Sequence, residues 1–189
     1  MGDSMEEPFV HKIINQGQFI ENEMYLSKKG FIENNREPLK KSDLDKAISA
    51  FPIKHYSNPD NEALFSERVG EKKENFSILE MDEFSVFIGD IYQLGEAIIQ
   101  VSQPGIVKRE EVENGFRTGW YFRVIKEGTV RPETDLVLQE RPYPQFSIAA
   151  CSEIMYMNRD DLWAADDLFQ CEALGHTWRK ALRKRLRGY

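Results

Sequence analysis

Residues 84–105 read FSVFIGDIYQLGEAIIQVSQPG, residues 108–117 read KREEVENGFR, and residues 118–124 read TGWYFRV. In the first stretch Ala97, Ile99 and Val101 share one face of an extended chain, and Glu96, Ile98 and Gln100 share the other. That alternation predicts two short strands around a turn, ending in the loop Ser102-Gln103-Pro104-Gly105. The last stretch predicts another strand, with Trp120, Phe122 and Val124 on one side and Tyr121, Arg123 and Ile125 on the other. A guanidinium set among apolar neighbours is costly to bury without a partner, so Arg123 calls for an anion or a carboxylate.

Working outward, the same period of two continues toward both ends. Phe9–Ile14 and Glu23–Leu26 are strand candidates, separated by the polar Asn15-Gln16-Gly17-Gln18. Lys28-Lys29-Gly30 reads as a turn, residues 33–42 as a loop containing Pro38, and Leu44–Phe51 as a strand or short helix ended by Pro52. Asp60-Asn61-Glu62 offers a helix start running to Glu67. Asp135–Gln139 gives one more strand. Several short strands with turns between them predict a barrel or sandwich. At Arg141-Pro142-Tyr143-Pro144 the pattern breaks, and beyond it the apolar period lengthens to about 3.6. Ser147 to Met157, a helix capped at Asp160 or Asp161, and a stripe of Trp178, Leu182 and Leu186 predict three short helices. The expected division is 1–140 for a mainly β barrel and 141–189 for a helical tail.

Composition limits the function classes. The chain of 189 residues is 41% hydrophobic, enough for a real core, and carries a net charge of −7 with a pI near 5.1. That balance argues against a nucleic-acid partner. No apolar run is long enough to span a membrane, and residues 1–8 lack the apolar segment of a signal peptide. Met1-Gly2 invites a myristoylation reading, but Glu6 stands where Ser or Thr is needed. The two cysteines, Cys151 and Cys171, give no disulfide framework and fit a reducing cytoplasm. Oligomerisation is left open.

Several pieces in order resemble the MOSC domain, the C-terminal domain of molybdenum-cofactor sulfurases, in its stand-alone bacterial form with a three-helix tail. They are Ile88-Gly89-Asp90 with Leu94-Gly95, Gln100-Val101-Ser102-Gln103-Pro104 and Thr118–Val124. Asp45-Lys46-Ala47-Ile48, His55-Tyr56, Asp160-Asp161-Leu162, Leu174 and Trp178-Arg179 add to them. The resemblance implies a β-barrel with a pocket at one mouth. It also implies a pterin molybdenum cofactor held by a cysteine thiolate and used to reduce N-hydroxylated compounds or pass on sulfur. Sulfur suits that metal because a thiolate is a soft donor, deprotonated on binding.

The chain departs from that pattern at the chemistry. The cysteine that the family places after Gln-Pro is missing, and its position falls at about Lys108. Lys41-Ser42-Asp43 replaces a His-Gly-Gly, and only Glu74-Asn75 remains of Phe-Gly-Glu-Asn. The resemblance thus implies a degenerate member that is a non-catalytic or altered module for a small anion. The alternatives are a working molybdenum oxidoreductase and an interaction partner of an intact paralogue.

Six residues are candidates for the cofactor or anion pocket, each with a plainer reading beside it. Arg123 grips an anion at the mouth near Asn75 and Ser102, or pairs internally with Glu96 or Asp90. Asn75 and Glu74 orient a ligand, or precede the strand Phe76–Leu79. Ser102 and Gln103 contact a ligand, or serve the turn before Pro104. Lys108, with Arg109, converts a metal pocket to an anion pocket, or lies in a solvated loop beside Glu110 and Glu111. No catalytic residue and no metal ligand set is expected: His11, His55 and His176 lack metal spacing. The basic residues 179–187 contact nucleic acid, or complement the negative end of the last helix.

Overall fold

A computed structural model describes residues 7–31, 44–57 and 65–188. Twelve strands follow one another in these segments. They are β1 (Phe9–Asn15), β2 (Gln18–Ile20), β3 (Met24–Ser27), β4 (Gly30–Phe31), β5 (Ile48–Pro52), β6 (Phe76–Leu79), β7 (Ile91–Leu94), β8 (Ala97–Pro104), β9 (Trp120–Lys126), β10 (Gly128–Val130), β11 (Thr134–Asp135) and β12 (Val137–Glu140). The main sheet runs β11-β1-β6-β5-β9-β8-β7-β12, with β2 paired to β1; β10-β3-β4 form a second, small sheet. β5 and β6 run parallel, and the other pairings of the main sheet are antiparallel.

The sheet curls back on itself. Its two terminal strands are consecutive pieces of one stretch: Thr134–Asp135 pairs with β1, and Val137–Glu140 pairs with β7. Leu136 sits between them, fully buried, and its N–H donates to the Pro8 carbonyl at 2.7 Å. The single strand expected over Asp135–Gln139 is therefore two, because the chain changes neighbours at Leu136.

The alternation read from the sequence sorts the two faces. Ala97, Ile99, Val101, Trp120, Phe122 and Val124 are buried, while Ile98, Gln100, Tyr121 and Arg123 are half-exposed. Phe122 is the hub of the interior, with Phe76, Tyr92 and Trp120 rings 6.3–6.4 Å away in tilted or edge-on contact. Each such ring, fully buried, contributes roughly 1.5–3 kcal/mol by area.

Among the described residues around the strands lie a 3-10 turn, Ile53–Tyr56, and short helices α1 (Phe65–Arg68) and α2 (Arg109–Glu113). Pro52 closes β5 and passes directly into the 3-10 turn, so Leu44–Phe51 resolves as strand only from Ile48. The expected loop over 33–42 and the expected helix start at 60–62 lie outside the described residues.

After the Arg141–Pro144 connector come α3 (Ile148–Ser152), continued by a π-helical turn to Met157, then α4 (Leu162–Gln170) and α5 (His176–Leu186). Ser147 and Asp161 cap α3 and α4, accepting from the N–H groups of Ala150 and Ala164 at 3.0 Å. Helices this short do not stand alone in water. Cys151, Ala165, Leu168, Leu174, Trp178 and Leu182 join the same buried cluster as the barrel residues. Arg141 fastens the connector: it grips both oxygens of fully buried Asp90 at 2.8 and 2.9 Å and lies over the Phe87 ring. The chain thus has one core, with the tail packed onto the barrel.

Candidate functional site

Two concavities hold the candidate residues. The first lies at the mouth of the barrel, where the ends of β5, β8 and β9 meet. It encloses about 180 Å³, and its walls include Ser49, Lys72, Glu74, Gly105, Arg117 and Trp120. The Lys72 ammonium pairs with the Glu111 carboxylate of α2 at its edge. Burial works to raise the Glu111 pKa, but the Lys72 ammonium and the Lys108 N–H outweigh it and hold the carboxyl below its ordinary value. The indole N–H of Trp120 is buried and has no partner among the described residues.

Glu74 is 3% exposed, and its carboxylate is spoken for. Tyr56 Oη donates to both oxygens at 2.9 Å; Ser77 Oγ and the Gly70 N–H add bonds at 2.9 and 3.0 Å. Burial first, with the Glu74 charge beside it, pushes the Tyr56 hydroxyl well above its ordinary pKa, so it stays a donor. Asn75 is a brace between strands. Its Oδ1 accepts from the Ser49 N–H and Oγ at 3.0 and 3.1 Å, and its Nδ2 donates to the Ile14 carbonyl at 3.2 Å. The family-like Glu-Asn pair therefore holds the mouth's wall, with Glu74 alone of the two lining the cavity.

The second concavity, of about 650 Å³, runs between the barrel wall and the tail, with Asp45, Arg123, Phe169, Arg179, Lys180 and Arg183 among its lining. Arg123 points here and away from the mouth. Its Nε and Nη2 lie 3.0 and 2.9 Å from Asp45 Oδ1, Nη1 donates to Gln100 Oε1 at 2.8 Å, and Nη2 donates to the Ala173 carbonyl at 2.8 Å. Its partner is thus Asp45, not Glu96 or Asp90, and it is not grouped with Asn75. The cause is the strand period: Trp120, Phe122 and Val124 take the interior, so Arg123 faces outward onto the tail. Asp45 is the residue that motif reading missed. Its Oδ2 accepts from the His176 N–H at 2.7 Å, at the start of α5, and its carbonyl accepts from Ser102 Oγ. The one signal for it was its place in the Asp45–Ile48 match.

Ser102 also donates to the Tyr121 carbonyl at 3.1 Å, so this buried hydroxyl stitches strands together and faces neither cavity. Gln103 is fully buried, with both amide atoms lacking partners among the described residues; it packs against Gly175, where an added Cβ would overlap Gln103 Oε1. Lys108 is exposed at the start of α2 and does not line the mouth. Four residues beyond Pro104, Lys108 is already the N-cap of the helix that begins at Arg109. Among the described residues no three His, Cys, Asp or Glu side chains converge as a metal site.

Comparison with known proteins adds the lineage. The MOSC domain model matches residues 33–137, more than half of the chain. The protein YflK of Bacillus subtilis is 31% identical over 160 residues, which are 75% of this chain and 69% of that one. The chain belongs to the MOSC domain family. YiiM of Escherichia coli is 27% identical over 186 residues, covering 88% of this chain and 81% of YiiM. The crystal structure of YiiM from Geobacillus stearothermophilus superposes with a TM-score of 0.72 at 28% identity, covering 95% and 96% of the two chains. That of YiiM from Escherichia coli gives 0.79 at 24% identity over 96% and 94%, a likeness of fold. A 124-residue stretch is 32% identical to a reductase of Gibberella moniliformis, of which this chain spans 21%.

Within this MOSC barrel the residue after Gln103-Pro104 is Gly105, and it lines the mouth. A Cβ added to Gly105 would overlap the Thr118 carbonyl oxygen and stand 3.1 Å from its carbon. Both are backbone atoms, fixed by the Gly105 N–H bond to the Gly119 carbonyl at 3.0 Å. The mouth therefore has neither a thiol nor room for one there. Cys151 and Cys171 are buried in the tail, and burial raises both thiols above their ordinary pKa, Cys151 well above. The residues present do not fit a cofactor held by a thiolate.

Proposed function

We propose that this MOSC protein is a binding module whose mouth takes a small oxyanion without ligating molybdenum through a thiolate. The observation that carries the reading is that Lys108, at the cysteine position the family implies, is exposed outside the mouth, while no cysteine lines the cavity and Gly105 at its edge is packed against backbone. Arg117, beside the Lys72–Glu111 ion pair, supplies positive charge, and the buried Trp120 N–H without a partner among the described residues is a further donor for an acceptor-bearing ligand. The cavity of about 180 Å³ favours a ligand smaller than those of drug-sized sites, which begin at roughly 300 Å³. A mouth that retains space also favours ligand binding over a purely interacting partner. The two buried, unpaired cysteines are in keeping with a cytoplasmic protein.

The test is the stability of Gly105→Ala and Gly105→Cys. The Gly105 φ lies outside the left-handed region, so a loss reports crowding and not backbone strain. We expect each variant to lose about 1–3 kcal/mol in chemical denaturation, the cost of forcing atoms into packed space. Wild-type stability in Gly105→Cys would mean the mouth has room for a side chain at its edge, and the small, closed pocket on which the reading rests would fall. The similarity to a reductase favours the second reading, an oxidoreductase that acts on N-hydroxylated compounds and holds its cofactor by other groups.

A further inference from the structure

The groove between barrel and tail has a charge pattern that the mouth does not explain. On α5, Arg179, Lys180 and Arg183 face into it, and Arg179 and Arg183 stand one helical turn apart, about 5.4 Å along the axis. Arg179 is pre-positioned: its guanidinium lies 5.3 Å from the Phe169 ring centroid, and its Nε donates to the Phe169 carbonyl at 3.3 Å. Those contacts leave its terminal N–H groups without partners among the described residues. Lys180 and Arg183 are exposed and have no side-chain partner there either. The floor is neutral, because Asp45 and Arg123 satisfy each other and their remaining bonds go to Gln100, Ala173 and His176. The free carboxylate among the lining residues is Glu172, opposed by three cations.

The geometry points to a second ligand site in this groove, for a small phosphorylated organic molecule whose phosphate oxygens bridge Arg179, Lys180 and Arg183. Planar guanidinium groups a turn apart suit an anion with several oxygens. The volume of about 650 Å³ lies within the range of small-molecule sites, roughly 300–1,000 Å³, and leaves space for an organic part beside Phe169 and Leu174. A nucleic-acid backbone is the weaker occupant. The chain carries a net charge of −7, and exposed Asp166 and Asp167 on neighbouring α4 would face an extended polyanion that overran the groove. The site stands apart from the mouth reading and does not depend on it.

Calorimetric titration of the full chain with inorganic pyrophosphate at low ionic strength tests this. Binding is expected in the wild type, weakening as salt is added. The double variant Lys180→Ala/Arg183→Ala should bind about tenfold more weakly or not at all, and Lys180→Arg should retain affinity. Lys126→Ala, an exposed cation of β9 outside the groove, should bind as the wild type does. Since Lys180 and Arg183 are exposed, unchanged melting of the double variant separates lost binding from lost fold. Absence of binding in the wild type would overturn the site, as would equal affinity in the double variant. Tighter binding of a short DNA duplex through the same residues would assign the groove to nucleic acid and overturn the proposal as well.

Discussion

Arg123 illustrates what a single residue discloses. Its setting in Trp120–Val124 showed that it needed a partner, and one face of β9 or the other had to take it. Which anion would meet it was not legible, because Asp45 lies 78 positions earlier and approaches only when β5 pairs with β9. With side chains 18% and 15% exposed, the pair is mostly removed from water. Substituting Arg123→Met leaves Asp45 with the His176 N–H alone and leaves the Gln100 and Ala173 acceptors unpaired. We expect a loss of about 3 kcal/mol, the lower end for a broken buried pair, measured by urea denaturation. An unchanged midpoint would mean that solvent already satisfies these groups. The thiolate position implied by the family, counted from the motif to about Lys108, falls on an exposed residue at the start of α2, outside the lining of the mouth.

At the scale of elements, the period-two runs were legible where one face is wholly buried, as in β8 and β9. The split between β11 and β12 was not, since the local pattern continues through Leu136 while the neighbouring strand changes. The capped starts of α3 and α4 could be read from Ser147 and Asp161, whose side chains offer acceptors to open N–H groups. Helix α2, called at most a charged loop, owes its place to Val112, which is fully buried, and to the Lys72–Glu111 pair. The Glu111 pKa is lowered in the fold, so the pair's stabilisation is present above the ordinary value of 4.5 and is lost as pH falls through the folded value beneath it. Both groups are partly exposed, which keeps the contribution under about 1 kcal/mol. Carboxyl-detected NMR titration should place the Glu111 midpoint below 4.5 and show it rising toward that value in Lys72→Met. A wild-type midpoint at or above 4.5 would remove the pair from the account of the mouth.

For the whole molecule, fold and chemistry separate. The ordered motifs from Ile88 to Arg179 identify a MOSC barrel with a docked tail, and the family match and the YiiM structures agree. The interior carries that signal, and it is intact: Phe76, Tyr92, Trp120 and Phe122 pack as one cluster. At the mouth the chain has a glycine held against backbone, a small cavity and the Lys72–Glu111 ion pair. We expect such a mouth not to hold the family's molybdenum cofactor through sulfur. Molybdenum per chain, measured by elemental mass spectrometry on protein purified from a host that makes the cofactor, tests it most directly. A content near background is expected; one approaching one atom per chain would overturn the proposal and favour the oxidoreductase reading.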